Sequence, residues 1–129
     1  MTDTNKSGFV KGIGTDIIEI DRMKRAIERH HKRFLERIFT EKERLYCNRY
    51  PDSMPHYAAR FAAKEAVAKA LGCGIGHSLK WQDIEIDHAA SGKPIINFSK
   101  EVNAQFDYPN IQISLSHCKK FAVAMAIWC

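Results

Sequence analysis

The residues best suited to chemistry lie in one alanine-rich stretch, Arg60–Gly72, where a single acid stands among bases. Glu65 is followed by Lys69 one helical turn later, and Arg60 and Lys64 precede it. An exposed ion pair between residues i and i+4 explains such a group and stabilises a helix by about 0.3–0.5 kcal/mol. A second acid elsewhere in the chain would instead favour a functional site.

A second acid, Asp16, occurs in an unusual setting. The segment Val10–Ile20 mixes glycine with β-branched residues, which is typical of a strand. Strict alternation puts Asp16 on the same face as glycine and isoleucine residues, namely Gly12, Gly14, Ile18 and Ile20. Two alternatives stay open: Asp16 lies at a bulge or strand end and faces water, or it has a function.

Other polar residues give weaker indications. His117 ends a predicted strand beside Lys119 and Lys120, where a histidine is usually structural or solvated, although a site role stays open. The glycine-rich loop after Gly72 lacks the lysine and serine or threonine of a Walker A sequence. The four cysteines form no CxxC pair, so we expect free thiols and neither a zinc site nor a disulfide framework.

The alanine-rich stretch is predicted to form the central helix. Pro55 suits a first helical turn, and Gly72 suits a left-handed C-terminal cap. Steps of about 100° per residue place small side chains on one face, Ala59, Ala62, Ala63, Ala66, Val67 and Ala70. This face can approach another layer closely.

A small antiparallel sheet is the predicted partner of that helix. The chain ends in a hairpin of strands 111–117 and 121–128, and the second strand is apolar on both faces, so it should be central. The alanines of that strand, Ala122, Ala124 and Ala126, are predicted to form the floor under the helix. Segments 83–87 and 95–98 form a second predicted hairpin, followed by a short helix from Ser99. The expected fold class is α+β.

A basic helix is predicted from Arg22 to about Phe39, with Asp21 as its N-cap and a possible irregularity at His30 and His31. The helix presents a basic outward face, formed by Arg22, Arg25, Arg29, Lys32 and Arg33. That face either keeps the protein in solution or binds a partner. A capping box at Thr40–Glu43 then opens a second short helix.

Composition limits the classes of function. The 129 residues suffice for one domain, predicted at 9–129 after a flexible tail at 1–8. With 45% hydrophobic and 27% charged residues and no long apolar run, we expect a cytoplasmic protein without a membrane partner. The net charge of +5 favours an acidic partner, which could be nucleic acid, a phosphorylated small molecule or an acidic protein.

Three segments together resemble the holo-acyl-carrier-protein synthases, the short class of 4′-phosphopantetheinyl transferases. They are Gly12–Glu19 with Arg22, Arg60–Ala66 with Lys69, and Ser114–His117, and Ser91–Pro94 lies between the last two. The resemblance covers about residues 9–128. Thr15 departs from the family, which usually has an apolar or small residue before the aspartate.

The resemblance implies transfer of phosphopantetheine from coenzyme A to a serine of an apo acyl carrier protein, with release of adenosine 3′,5′-bisphosphate. By motif, Asp16 and Glu65 would be ligands of Mg²⁺, an ion often held by one or two carboxylates plus phosphates and waters. Glu65, or a metal-bound water that it orients, would be the base. Lys69 would assist electrostatically as the second catalytic residue.

The resemblance also implies binding surfaces. Arg60, Lys64 and Lys69 would contact the phosphates, whereas three residues match segments near the nucleotide of coenzyme A, namely Lys93, Pro94 and His117. The carrier would meet the basic helix through Arg22, Arg25 and Arg29. Family members of this length are homotrimers, and a small domain with an exposed Asp16 and Glu65 has too little wall to enclose coenzyme A alone.

Two rival hypotheses come from other classes. One is a non-catalytic basic module that binds nucleic acid or an acidic protein through the basic helix. That helix carries no recognition motif and no interleaved aromatic residues, and a nucleic-acid binder has no need of Asp16 and Glu65, so we expect no nucleic-acid partner. The other is a catalytically dead scaffold, which the intact carboxylate pair argues against.

Overall fold

The computed structural model describes residues 9–76 and 78–129, so the predicted tail at 1–8 lies outside the described residues. The elements follow in the order β1 (Gly12–Glu19), α1 (Ile20–Ile38), α2 (Glu41–Cys47), α3 (Met54–Ala70), β2 (Ile84–His88), β3 (Pro94–Phe98), α4 (Lys100–Phe106), β4 (Ile111–His117) and β5 (Phe121–Trp128). A short 3-10 turn, Trp81–Asp83, precedes β2. The mixed α+β class is confirmed.

Three antiparallel strands form the main sheet in the order β1-β5-β4. The apolar strand β5 is central, as its two apolar faces predicted. Its Ala124 lies opposite Asp16 of β1 on one side and Leu115 of β4 on the other. The hairpin of β2 and β3 forms a separate two-stranded sheet.

The alanine-rich helix α3 packs on the inner face of the main sheet, as predicted. The alanines of β5 and the small-residue face of α3 are buried together. A Cβ atom added to Gly12 would lie 2.0 Å from the carbonyl oxygen of Ala70, and one on Gly14 would lie 2.0 Å from that of Ala66. These two glycines therefore allow the backbones of β1 and α3 to touch.

Both ends of α3 follow the sequence signals. Pro55 lies in the first turn, where its missing N–H costs nothing. Gly72 has φ +80°, its N–H donates to the carbonyl of Lys69, and that of Cys73 donates to the carbonyl of Ala68. This is a Schellman motif, so the predicted left-handed cap is confirmed.

Helix α1 differs from the prediction at its start. It begins at Ile20, whose N–H donates to the carbonyl of Lys120 at 2.8 Å. The predicted N-cap at Asp21 is therefore wrong, because the turn between β4 and β5 already accepts a hydrogen bond from the first N–H group of the helix. The predicted irregularity is confirmed, since His31 has φ +52° and ψ −138° inside the helix.

Among residues 9–76 and 78–129, no helix combines the length and the apolar character needed to span a membrane.

Candidate active site

Asp16 and Lys69 meet between the strand β1 and the helix α3. The Nζ of Lys69 donates to Oδ1 of Asp16 at 3.2 Å and to the carbonyl oxygen of Thr15 at 2.9 Å. Asp16 shares the inner face of β1 with residues facing α3, and its side chain is only 19% exposed. The interpretation of Glu65 and Lys69 as a simple surface pair is wrong, because the Lys69 ammonium pairs with Asp16 instead.

Glu65 lies one turn before Lys69 on α3 and is partly buried. Burial raises the pKa of its carboxyl group, the negative charge of Asp16 raises it further, and Lys69 lowers it. The two acids therefore lie close enough to repel each other. The structure thus brings together the two residues that the family resemblance implies as metal ligands.

The donor chemistry of this pair fits Mg²⁺. Carboxylate oxygens are the protein ligands that this ion prefers, and a cation between Asp16 and Glu65 would relieve their repulsion. In the described part of the chain no three His, Cys, Asp or Glu side chains cluster as a metal site. The remaining ligands would therefore be substrate phosphates and water, as is usual for Mg²⁺ in phosphoryl-transfer sites.

Two adjoining cavities hold the other predicted residues. The first, of about 550 Å³, lies on the outer face of the main sheet and reaches Asp16 and Lys69. The second, of about 310 Å³, is lined by Arg60, Pro94 and His117 among others. Both are lined by Ser114 and Leu115 of β4, so the cavity that reaches Asp16 and the cavity that holds Arg60, Pro94 and His117 meet at one strand.

Arg60 is the most informative residue of the second cavity. Its side chain is 6% exposed, and its guanidinium lies 4.1 Å from the centre of the Tyr46 ring. One terminal nitrogen donates to the carbonyl of His56 at 3.5 Å, whereas Nε has no partner among the described residues. A buried donor without a partner is rare, and an anion in the cavity would satisfy it.

Aromatic and histidine rings surround Arg60. The ring centres of His56 and His117 are 5.5 Å apart, and Tyr50 stacks on His56 at 3.6 Å. Burial lowers the pKa of His56, and the charges of His117 and Arg60 lower it further. A cluster of groups whose positive charges repel one another is suited to a negatively charged ligand.

Part of this cluster was not predicted from the sequence. Tyr46, Tyr50 and His56 carry no motif, and only the i,i+4 spacing of the two tyrosines near the end of α2 hinted at a shared face. Pro94 lines the cavity, whereas Lys93 is exposed in the turn between β2 and β3.

Lys64 is not in the site. It is fully buried, and its Nζ lies 2.8 Å from Oε1 of Glu43 and donates to the carbonyls of Trp81 and Ile84 at 3.0 and 2.7 Å. The other carboxylate oxygen of Glu43 accepts the N–H of Ile86. The predicted phosphate contact of Lys64 is therefore wrong in this structure, because all its visible partners lie in the core. Burial lowers the pKa of Lys64, and Glu43 opposes this effect.

The residues predicted to meet a carrier protein lie together. Arg22, Arg25 and Arg29 are exposed on α1 before its break at His31. Their spacing of three and four residues places them on one face.

Comparison with known proteins places this geometry in a family. The model of the 4′-phosphopantetheinyl transferase superfamily matches residues 12–126. Holo-(acyl-carrier-protein) synthase of Chlamydia pneumoniae is 50% identical over 115 residues, which cover 89% of this chain and 93% of that protein.

Solved structures agree. The holo-(acyl-carrier-protein) synthase of Neisseria meningitidis is 31% identical with a TM-score of 0.87, covering 94% of this chain and 99% of that one. The synthase of Helicobacter pylori, solved in complex with coenzyme A, is 36% identical with a TM-score of 0.83, covering 91% and 99%. From the matched segment, the shared fold and the paired carboxylates, the chain belongs to the 4′-phosphopantetheinyl transferase superfamily.

Proposed function

We propose that this chain transfers the 4′-phosphopantetheine group of coenzyme A to a serine hydroxyl of an apo acyl carrier protein and releases adenosine 3′,5′-bisphosphate. The observation that carries the proposal is the arrangement around β4. The cavity that reaches Asp16 and Lys69 lies on one side, and the cavity lined by Arg60, whose buried Nε has no partner among the described residues, lies on the other. A diphosphate nucleotide needs both kinds of group. The names of the relatives support the same reaction.

The residues divide into two roles in this proposal. Arg60 and His117 bind the phosphates of the nucleotide portion, with Pro94 in the cavity wall and Lys93 at its edge. Asp16 and Glu65 hold Mg²⁺, which supplies positive charge to the diphosphate of coenzyme A. Lys69 adds a further positive charge that can reach the same phosphates.

Glu65 is the proposed base. The serine oxygen forms a bond to the phosphorus of the pantetheine phosphate, the bond from that phosphorus to the bridging oxygen breaks, and the serine proton passes to Glu65. Burial and the charge of Asp16 raise the pKa of Glu65, whereas Mg²⁺ held by the same carboxylate would lower it. A water oriented by Glu65 is the alternative proton acceptor.

The first experiment is intact-mass spectrometry of an apo acyl carrier protein incubated with this protein, coenzyme A and Mg²⁺. We expect the carrier to gain one phosphopantetheine group, and a chelator should prevent the gain. Asp16→Ala and Glu65→Ala should each abolish transfer, whereas Glu101→Ala, which removes an exposed acid of α4, should not. Absence of transfer with several carriers would favour the basic binding module, and turnover by either site variant at saturating Mg²⁺ would remove the metal assignment.

The exposed arginines of α1 are the proposed carrier surface. Acyl carrier proteins are acidic, so Arg22, Arg25 and Arg29 would steer them towards the site, more weakly as salt rises. Arg22→Glu should raise the KM for the carrier several-fold while the KM for coenzyme A stays the same. Lys100→Glu reverses an exposed charge on α4 and is the matched control. An unchanged KM for the carrier would leave the basic face as a solubility feature.

We also propose that the protein is a homotrimer whose copies cover the outer face of the main sheet. That face exposes large apolar side chains, with Ile13 at 68%, Ile17 at 62% and Met125 at 48%. The cavity that reaches Asp16 and Lys69 opens on it, so a second copy would complete the wall of the site.

The oligomer has its own test. Met125→Glu should yield monomers in analytical ultracentrifugation, because a charge on a buried interface is costly. Leu45→Glu changes an equally large exposed side chain on α2, at 64% exposure, and should leave the trimer intact. A trimer in both variants would locate the interface elsewhere, and a monomeric wild type would refute the assembly.

We propose that residues 9–129 form the catalytic domain and act in the cytoplasm. All four cysteines are free, which suits a reducing compartment.

A further inference from the structure

The ammonium of Lys69 occupies the position where positive charge is needed beside Asp16. It bridges two consecutive residues of β1, with Oδ1 of Asp16 at 3.2 Å and the carbonyl of Thr15 at 2.9 Å. The acid is mostly buried, and a buried carboxylate needs a cation or hydrogen bonds. The ammonium of Lys69 is such a cation.

The same contact places Lys69 in competition with a metal ion. A divalent cation on Asp16 would lie within a few ångströms of the ammonium, and like charges at that distance repel strongly away from bulk water. The Lys69 side chain is 53% exposed and flexible, so it can leave. Its departure costs little when another cation takes its place at Asp16, because the mostly buried carboxylate then stays paired.

We propose that Lys69 is a resident counter-ion that blocks the Asp16 metal site until coenzyme A binds and draws the ammonium to its diphosphate. Lys69 then leaves the carboxylate of Asp16 free for the divalent ion and gains phosphate oxygens in exchange. The consequence is positive coupling between nucleotide and metal, because each ligand removes an obstacle to the other. This inference rests on the proposed function, since it takes Asp16 as a metal ligand and coenzyme A as the nucleotide.

The test measures binding of Mn²⁺, a spectroscopic probe for the Mg²⁺ site, by electron paramagnetic resonance with and without coenzyme A. Without coenzyme A, Lys69→Met should bind Mn²⁺ about fivefold more tightly than the wild type, from the loss of an exposed ion pair. Coenzyme A should strengthen Mn²⁺ binding more in the wild type than in Lys69→Met. Lys69→Gln repeats the test with a polar side chain, and Lys100→Met controls for the loss of one positive charge.

The outcomes separate this inference from the proposed function. One outcome refutes only the counter-ion role. In it, Asp16→Asn abolishes Mn²⁺ binding in the presence of coenzyme A, but in the absence of coenzyme A Lys69→Met and Lys69→Gln bind Mn²⁺ no more tightly than the wild type. If Mn²⁺ binding in the presence of coenzyme A does not depend on Asp16, the metal site of the proposed function is refuted, and the counter-ion role with it. If Lys100→Met gains as much affinity for Mn²⁺ as Lys69→Met, the effect comes from net charge and the counter-ion role is refuted.

Discussion

The buried ion pair of Lys64 and Glu43 gives the sharpest prediction for stability. Lys64→Met keeps the length and apolar stem of the side chain but removes the ammonium. The ammonium has three acceptors in the core, the Glu43 carboxylate and the carbonyls of Trp81 and Ile84. All three lose their charged donor together, and the Glu43 carboxylate stays buried at 1% exposure.

Breaking one partner of a buried pair costs about 3–5 kcal/mol of unfolding free energy, because an unpaired charge is left in the core. Folded domains are stable by only roughly 5–15 kcal/mol, so Lys64→Met should be severely destabilised. The double variant Lys64→Met with Glu43→Gln should lose less than the sum of the two single variants, by about 1–3 kcal/mol. Urea unfolding followed by circular dichroism measures all three.

Lys42→Met is the matched control. Its ammonium pairs with Asp87 at a similar distance, 2.7 Å, but its side chain is 62% exposed, so its removal should change stability far less. Unfolding of Lys64→Met at the urea concentration of the wild type would contradict the predicted cost of an unpaired charge in the core. A rise in the KM for coenzyme A in a fully stable Lys64→Met would restore the phosphate contact that the motif predicted.

Four further predictions, three substitutions and one labelling experiment, each depend on a single observation. Gly14→Ala puts a Cβ 2.0 Å from the carbonyl oxygen of Ala66 and should lower the free energy of unfolding by at least about 3 kcal/mol, seen as a loss of soluble protein. A variant as stable as the wild type would contradict this packing. His31→Gly relieves a strained backbone at φ +52° and should raise the free energy of unfolding by about 1 kcal/mol, measured in urea. A lower free energy of unfolding in the variant would contradict backbone strain at His31. Burial lowers the pKa of His56, so the unfolded chain binds the proton more readily and the free energy of unfolding falls as the pH drops through about 6.5. His56→Gln should reduce the slope of the unfolding free energy against pH between pH 7 and 5. Equal slopes in the wild type and the variant would contradict this role of His56. Backbone N–H groups of the turn between β4 and β5, that of Lys120 first, lower the pKa of the exposed Cys118. Iodoacetamide should therefore alkylate Cys118 before the other cysteines in a time course followed by peptide mass. Slower alkylation of Cys118 than of the other cysteines would refute this prediction.

Local sequence patterns predicted the main helices and strands and the C-terminal cap of α3, although not the start of α1. The alternation of β1 placed Asp16 inward, the apolar faces of β5 made it central, and Gly72 marked the end of α3. These features depend on residues close together in the chain, because backbone periodicity and capping are local interactions. The motif around Glu65 then indicated the family, which the comparisons confirmed.

The partner of each charged residue depends on tertiary packing. Lys64 and Lys69 lie on one helix five residues apart, yet the first pairs with Glu43 in the core and the second with Asp16 at the site. The cluster of His56 with His117 also joins α3 to the end of β4. Sequence could not predict these pairs, because burial and electrostatic attraction depend on which distant elements pack against the helix, and local spacing does not record that.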